Sequence, residues 1–294
     1  MILPQNTNVG FIGTGVMGKS MVRHLMKGSY PVHIYSRTKK KAEELIAEGA
    51  VWEESVAALA SRCQVIFTIV GFPPDVEDVY LGEEGILKNI ASGGYVIDMT
   101  TSKPELAATI ADQAREKGVF SLDAPVSGGD VGARDGKLSI MVGGEKEVFD
   151  TILPLFELMG TNIVYQGAAG SGQHTKMCNQ IIIAGVMLGI TEALAYANKA
   201  GLDATSVLKN IESGAARSWA LTNLWPRIID ENFEPGFYVK HFIKDMTIAS
   251  ETAKTLDLDT PGLDLAKSLY EKLAEQGGGD YGTQALFKVY TSEG

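Results

Sequence analysis

Only two cysteines occur in the 294 residues, Cys63 and Cys178, far apart and each in an apolar stretch. No C-x-x-C or Cys/His ligand spacing is formed. The four histidines, His24, His33, His174 and His241, are scattered and make no H-E-x-x-H pattern, so no metal site is expected. Positive charge is also short: 26 Lys and Arg against 36 Asp and Glu leave a net charge of −10. That balance argues against a broad nucleic-acid or anionic-membrane surface, although it does not forbid an anionic ligand at a local site. Residues Met1 to Asn8 lack the basic start, apolar core and small-residue cleavage site of a signal peptide. The longest apolar stretch, Ile181–Ile190, falls short of a bilayer span. A cytoplasmic protein is expected, with no nucleic acid and no membrane among its partners.

What is present is an ordinary globular composition, 45% hydrophobic and 21% charged. The length predicts about two domains. In the first half, β-rich runs alternate with helical patterns. Val9–Ile12, Val32–Ser36, Val65–Val70, Tyr95–Asp98 and Val119–Asp123 read as strands, with helices at Lys39–Glu48 and Lys103–Lys117 among the segments between them. Ser102 and Glu105 stand at capping-box spacing before the latter, with Pro104 in its first turn. Leu138–Val142 and Ile163–Tyr165 extend the sheet. After Gln166 the pattern turns helical. Gly167–Gly172 is a small-residue linker, and Gln173–Lys199 is apolar nearly all round, so it is expected to be buried. Further helices are expected at Ala204–Glu212, His241–Leu256, Gly262–Glu275 and Thr283–Tyr290. The predicted class is α/β: a doubly wound parallel sheet of the Rossmann type over residues 1–166, then an all-α domain over 167–294.

The most informative segment is Gly13-Thr14-Gly15-Val16-Met17-Gly18, which closes the first strand and opens a helix in G-x-G-x-x-G spacing. Gly13 permits the tight turn, Gly15 lets the backbone approach a pyrophosphate, and Gly18 lets the helix pack closely on the sheet. The unpaired N–H groups of the helix N-terminus face the anion. A glycine-rich turn without a ligand is the plain alternative, but the flanking strands of one βαβ unit favour a dinucleotide.

The second strand ends in Ser36-Arg37-Thr38, followed by three lysines. An NAD site places an acid there for the ribose 2′-hydroxyl. Arg37 can instead make a charge-assisted contact to a 2′-phosphate. Cations are disfavoured at a helix start, so a merely solvated basic turn is a poor account. NADP(H) is expected, with NAD(H) second.

Lys176 stands near the start of the long helix, with Gln173, Asn179 and Gln180 three or four positions away on its face. It has two readings: a cation reaching to solvent, or a proton donor in a partly desolvated cleft. Asp123-Ala-Pro-Val-Ser-Gly-Gly129 follows the fifth strand. Ser127, Gly128 and Gly129 offer a hydroxyl and successive N–H groups suited to a carboxylate, at the strand end where such sheets bind ligands.

These pieces together resemble the β-hydroxyacid dehydrogenase family, which includes 3-hydroxyisobutyrate dehydrogenases, tartronate semialdehyde reductases and glyoxylate/succinic semialdehyde reductases. The likeness runs the length of the chain: the glycine fingerprint, Asp98-Met-Thr-Thr-Ser-Lys-Pro104, Asp123–Gly129, the Lys176 helix, and Phe237 through Lys244-Asp245. The resemblance implies that Lys176 is the catalytic proton donor and acceptor. It places the substrate carboxylate at Ser127, Gly128 and Gly129, and the substrate also near Asn179, Gln180, Phe237 and Asp245. Val70, Gly71, Thr101 and Lys244 would lie at the cofactor. It also implies hydride transfer between a nicotinamide and a small 3-hydroxy acid or its semialdehyde or 2-oxo acid counterpart, without a metal. Three positions depart from the family pattern: Gln180 replaces a second asparagine, His24 replaces a signature asparagine, and Val70-Gly71 replaces a leucine-proline pair. Ser218, Trp219 and Tyr238 join Phe237 as candidates for substrate selectivity. The 6-phosphogluconate dehydrogenases also use a helix lysine, but follow it with a His-Asn pair where this chain has Asn179-Gln180. A non-catalytic dinucleotide module is the alternative from outside the enzymes, and Lys176 with an intact Asp123–Gly129 segment argues against it. The long apolar helix implies burial between subunits, hence a homodimer or homotetramer.

Overall fold

A computed structural model describes residues 2–291. The chain divides into two compact units, Met1–Lys176 and Met177–Gly294. The division falls inside a helix rather than in the small-residue linker before it.

The first unit opens with β1 (Val9–Ile12), α1 (Val16–Lys27), β2 (Val32–Tyr35), α2 (Glu43–Ala47), β3 (Val51–Trp52), α3 (Val56–Arg62) and β4 (Val65–Thr68). There follow α4 (Pro73–Leu81), α5 (Ile86–Asn89), β5 (Tyr95–Asp98), α6 (Pro104–Glu116) and β6 (Phe120–Asp123). The unit continues through β7 (Val126–Ser127), α7 (Gly129–Arg134), β8 (Leu138–Gly144), α8 (Lys146–Phe156) and β9 (Gly160–Gly167) to the start of α9 (Ser171–Lys199). The strands lie in the order β3-β2-β1-β4-β5-β6-β8-β7, with β9 beside β8. The first six are parallel; β8 runs antiparallel to β6 and β7, and β9 parallel to β8.

Alternation along the central strands fills both faces. Val9, Phe11, Val65, Phe67 and Ile97 enter one core with Met21, Leu25 and Phe156. Ile12, Ile66 and Val96 enter the other with Leu59, Tyr80 and Ile110. Two helix-covered faces are what a βαβ alternation requires. The register aligns the last residues of the strands in one row: Tyr35, Ile12, Thr68, Asp98 and Asp123. Two of these are buried acids, side by side at the carboxyl edge of the sheet.

Three local expectations are corrected. The Ser102/Glu105 capping box does not form: α6 begins at Pro104 with Lys103 as its N-cap, without a side-chain cap. The reason is that the Ser102 N–H, which Glu105 would have to reach, already donates to Gln173 Oε1 at 2.9 Å. The helix expected from Lys39 is a 3₁₀ turn over Lys39–Ala42, and α2 starts only at Glu43. Three lysines oppose the helix dipole at its start, whereas Glu43 and Glu44 complement it. Third, α9 is not buried all round. Met177, Ala184, Met187, Ile190 and Leu194 enter the helical core, but Ile182 is 65% and Tyr196 73% exposed. By length and composition α9 is apolar enough to cross a membrane, a longer apolar element than Ile181–Ile190 implied. Its buried row is that of a core helix.

The second unit carries α9 onward, then α10 (Ala204–Ile211), α11 (Trp219–Ile229), α12 (Val239–Thr255), α13 (Pro261–Glu275) and α14 (Lys288–Thr291). Trp225, Phe242, Met246 and Tyr270 form its centre. The buried polar tips are satisfied: Trp225 Nε1 donates to the Ala204 carbonyl and the Tyr270 hydroxyl to that of Thr283. Helix α11 has no counterpart among the helices expected from the sequence. Ser218 starts it, its hydroxyl accepting the Leu221 N–H at 3.0 Å.

Candidate active site

The glycine turn has the shape its spacing implies. Gly13 takes φ +103, and a Cβ there would strike the Ile69 carbonyl. A Cβ on Gly18 would strike the Gly13 carbonyl, so α1 can approach the turn this closely only through glycine. Around Gly15 there is open space instead. No side chain caps the start of α1, and the buried Thr14 hydroxyl has no hydrogen-bond partner among the described residues. Uncapped helix donors, an orphaned hydroxyl and open space at the middle glycine together fit a dinucleotide pyrophosphate.

Arg37 lies just beyond β2 and is largely exposed. Its Nη1 pairs with Asp75 Oδ1 at 2.9 Å, while Asp75 Oδ2 accepts the Phe72 N–H at the start of α4. Nothing local in the sequence links Asp75 to Arg37, which stands 38 residues before it. Ser36 and Thr38 flank Arg37. Val70 and Gly71 follow β4, where the Val70 N–H donates to Thr100 Oγ1 at 2.9 Å. This joins the loops after β4 and β5.

The row of strand ends supplies a buried polar network. Asp98 Oδ1 accepts from Thr68 Oγ1 at 2.8 Å and from the Thr100 N–H at 3.0 Å. The Tyr80 hydroxyl lies 3.0 Å from Thr68 Oγ1. Burial pushes the Asp98 carboxyl up to about 6, against the pull of those hydrogen bonds. Asp123 accepts the N–H of Gly170 and of Gln173, each at 2.8 Å, on separate oxygens. Burial raises its pKa too, opposed by the same N–H groups. In this way a strand-end carboxylate, distant in sequence, caps the first turn of α9.

In that same first turn the Gln173 side chain, fully buried, donates from Nε2 to the Thr100 carbonyl at 2.8 Å and accepts the Ser102 N–H at 2.9 Å. Thr101 is bracketed between these two contacts. Lys176 follows on the same helix at 6% exposure, so the reading of a cation reaching to solvent does not hold for this lysine. Ser127 ends β7, and Gly128 and Gly129 take φ +129 and +63 as they start α7. His24 Nε2 lies 3.0 Å from the Ala133 carbonyl and 3.1 Å from that of Arg134, so it ties the other end of α7 to α1. In the first unit, therefore, Gly13–Gly18, Arg37, Val70, Thr101, Ser127 and Lys176 all follow the carboxyl ends of sheet strands.

Asn179, Gln180, Phe237, Lys244 and Asp245 belong to the second unit. Asn179 Nδ2 donates to Gln180 Oε1 at 2.7 Å, and Gln180 Nε2 donates to Asp245 Oδ2 at 2.7 Å. Lys244 Nζ is 2.9 Å from Asp245 Oδ1, an ion pair without hydrogen-bond alignment. Both ends of the Gln180 amide are thus engaged within the protein, and the longer side chain is what reaches from α9 to α12. Phe237 packs on Phe242 at 5.7 Å between ring centres. Burial holds the pKa of His241 down, reinforced by Lys244 and Lys240. A cavity of about 320 Å³ lined by Leu194, Ile228, Phe233 and Phe287 lies in this unit but contains none of these residues. No group of three or more metal-ligating side chains occurs among the described residues.

Residues 8–167 match the family described as the NAD binding domain of 6-phosphogluconate dehydrogenase. Residues 170–290 match that described as the NAD-binding of NADP-dependent 3-hydroxyisobutyrate dehydrogenase. An uncharacterized oxidoreductase of Bacillus subtilis, YkwC, is 59% identical over 96% of this chain and 98% of its own length. The 2-hydroxy-3-oxopropionate reductase of Escherichia coli is 39% identical over 96% of each. The chain belongs to the β-hydroxyacid dehydrogenase family. As a member of that family it is an NAD(P)-dependent oxidoreductase. Among solved structures, a Mycobacterium tuberculosis 3-hydroxyisobutyrate dehydrogenase with L-serine superimposes with a TM-score of 0.88 at 28% identity. That match covers 96% of this chain and 98% of the other. That dehydrogenase therefore has the same fold along nearly its whole length.

Proposed function

We propose that this enzyme transfers a hydride between NADP(H) and a small 3-hydroxy acid or its semialdehyde, with Lys176 as the proton donor and acceptor. The observation that carries the reading is Lys176 itself: a buried cation on the first turns of a helix seated by Asp123 and Gln173. When bound, the nicotinamide supplies or takes up the hydride. Ser127 and the N–H groups of Gly128 and Gly129 hold the substrate carboxylate, which orients the reacting carbon. In the reducing direction Lys176 gives its proton to the carbonyl oxygen and stabilises the negative charge that develops there. Asn179 lies one turn along the helix from Lys176, and Gln180 holds it in place through its bond to Asp245. The E. coli relative is named for reducing 2-hydroxy-3-oxopropionate, and the M. tuberculosis structure contains L-serine. Both are small acids with oxygen on the third carbon, which supports the same substrate class here.

NADPH absorbance decay with tartronate semialdehyde tests the reading, with succinic semialdehyde and glyoxylate as acids whose carbonyl is not on the third carbon. Turnover of tartronate semialdehyde above the other two is expected in the wild type. Lys176→Ala and Lys176→Met should bind NADPH and lose about 100-fold or more in kcat; a Lys176→Met with kcat near the wild type would remove the lysine from the mechanism.

Arg37 supports the preference for NADP(H), since no acid stands at the end of β2 and the guanidinium retains donors beyond the one given to Asp75. The exposed row Cys178, Ile182, Gly185, Gly189 and Tyr196 on α9 supports a homo-oligomer. Space around Gly185 and Gly189 would let a second helix approach closely. Light scattering should give a dimer or tetramer that Ile182→Asp weakens. A monomeric wild type at micromolar concentration would count against it.

A further inference from the structure

We propose that Gln173 is a positioning residue for the reaction: its buried amide fixes the 100–102 loop to the first turn of α9, and so sets the separation between Thr101 and Lys176. The inference rests on the reading of Lys176 as proton donor and Thr101 as a cofactor contact, and adds what holds the two in register.

Three hydrogen bonds carry it. The side chain accepts from Ser102 N–H and donates to the Thr100 carbonyl, one residue to each side of Thr101. Its own N–H donates to Asp123 Oδ2 at 2.8 Å. Gln173 therefore joins the end of β5 to the end of β6 at the point where α9 begins. Lys176, three residues on, shares its helix face. Both side-chain partners are backbone groups, so the contact does not depend on which side chains stand at positions 100 and 102. The site needs a donor and an acceptor in one plane, which an amide offers, an ionised carboxylate lacks, and a thioether cannot supply. Chemistry of this kind is sensitive to placement, since an error near 1 Å can cost about 100-fold in rate.

Gln173→Met keeps the volume and removes both bonds. Gln173→Glu keeps the acceptor and regains the donor only when its carboxyl is protonated. The charged groups on the segments it touches are Asp98 and Asp123 at the strand ends, Lys103 next to Ser102 and Lys176 one turn along the helix. Burial and the two acids favour the protonated form, and the two lysines act against it. For both variants kcat, KM and the primary isotope effect with C4-deuterated NADPH would be measured across pH 5.5–8.5, alongside thermal stability. Gln173→Met should lose about 10- to 100-fold in kcat with a smaller change in KM. Gln173→Glu should match that loss at pH 8.5 and recover relative to the wild type as pH falls. If Gln173 only fills the core, both variants lower the melting temperature while kcat per folded enzyme and the isotope effect stay as in the wild type, and the proposal is overturned. Should Gln173→Met not fold, the pH-dependent ratio for Gln173→Glu decides alone: a flat ratio rejects the proposal. Lys176→Ala is measured beside them to separate the two ideas. An active Lys176→Ala removes the lysine reading and this inference with it; an inactive Lys176→Ala with a normal Gln173→Glu removes this inference only.

Discussion

Gln173 and Gln180 stand two turns apart on α9 and are both buried, yet their amides are used differently. Gln173 commits its amide to backbone groups and Gln180 to side chains, Asn179 on one end and Asp245 on the other. A backbone partner is fixed by the fold and carries no charge. A carboxylate partner brings a charge that must be satisfied wherever it is buried. The first contact should therefore govern geometry with little effect on electrostatics, while the second should govern whether a buried acid is tolerated.

The largest test removes the group that both amides flank. Lys176→Ala should cost about 100- to 10,000-fold in kcat, the usual range for a positioned general acid. If the loss in Lys176→Ala is no greater than in a Gln180 variant, the helix is a scaffold and the comparison has no centre. Next comes the acid behind the Gln173 contact. Asp98 ionises near 3.8 when unfolded and near 6 when folded. The folded state binds more protons in that window, so this group makes stability fall as pH rises through it and leaves a lower plateau above. Asp98→Asn should flatten the slope and raise stability above pH 6 by up to about 3 kcal/mol. Urea unfolding at several pH values checks this, and an unchanged slope would show that Asp98 is not its source.

Gln180→Leu should cost about 2 kcal/mol, because Asp245 loses a donor while remaining buried. Gln180→Leu/Asp245→Leu should cost less than the sum of the single changes; strict additivity in a double-mutant cycle would deny the coupling. The smallest expected effect is at the surface. Asp75→Asn frees Arg37 from its ion pair, and because exposed pairs contribute about 1 kcal/mol or less, the ratio of kcat/KM for NADPH over NADH should change by less than about tenfold. Arg37→Leu should lower that ratio more than Asp75→Asn changes it. The reverse order would place the discrimination elsewhere.

Much of this was legible beforehand where the chemistry is local. The turn at Gly13–Gly18 is readable because its three glycines meet atoms within one βαβ unit. The strand ends are readable because alternation is written along each strand. Asp75, by contrast, lies far along the chain from Arg37 and carries no local mark of pairing with it. The proposed capping box at Ser102 failed for the same reason, since its N–H is taken by Gln173 from a different part of the chain. Gln180 could be seen as a departure from the family's second asparagine, but only the packing of α12 beside α9 explains the added methylene.

By itself the sequence determined the two-part architecture, the dinucleotide turn and the helix lysine, since each rests on periodicity or on steric demands between near neighbours. The tertiary structure alone decided which buried polar groups meet. It set Asp98 beside Asp123 through strand register, seated α9 on Asp123 and Gln173, and joined Asn179 to Asp245 through Gln180. Hydrogen bonds between distant residues depend on where the backbone carries them, and no spacing along the chain encodes that.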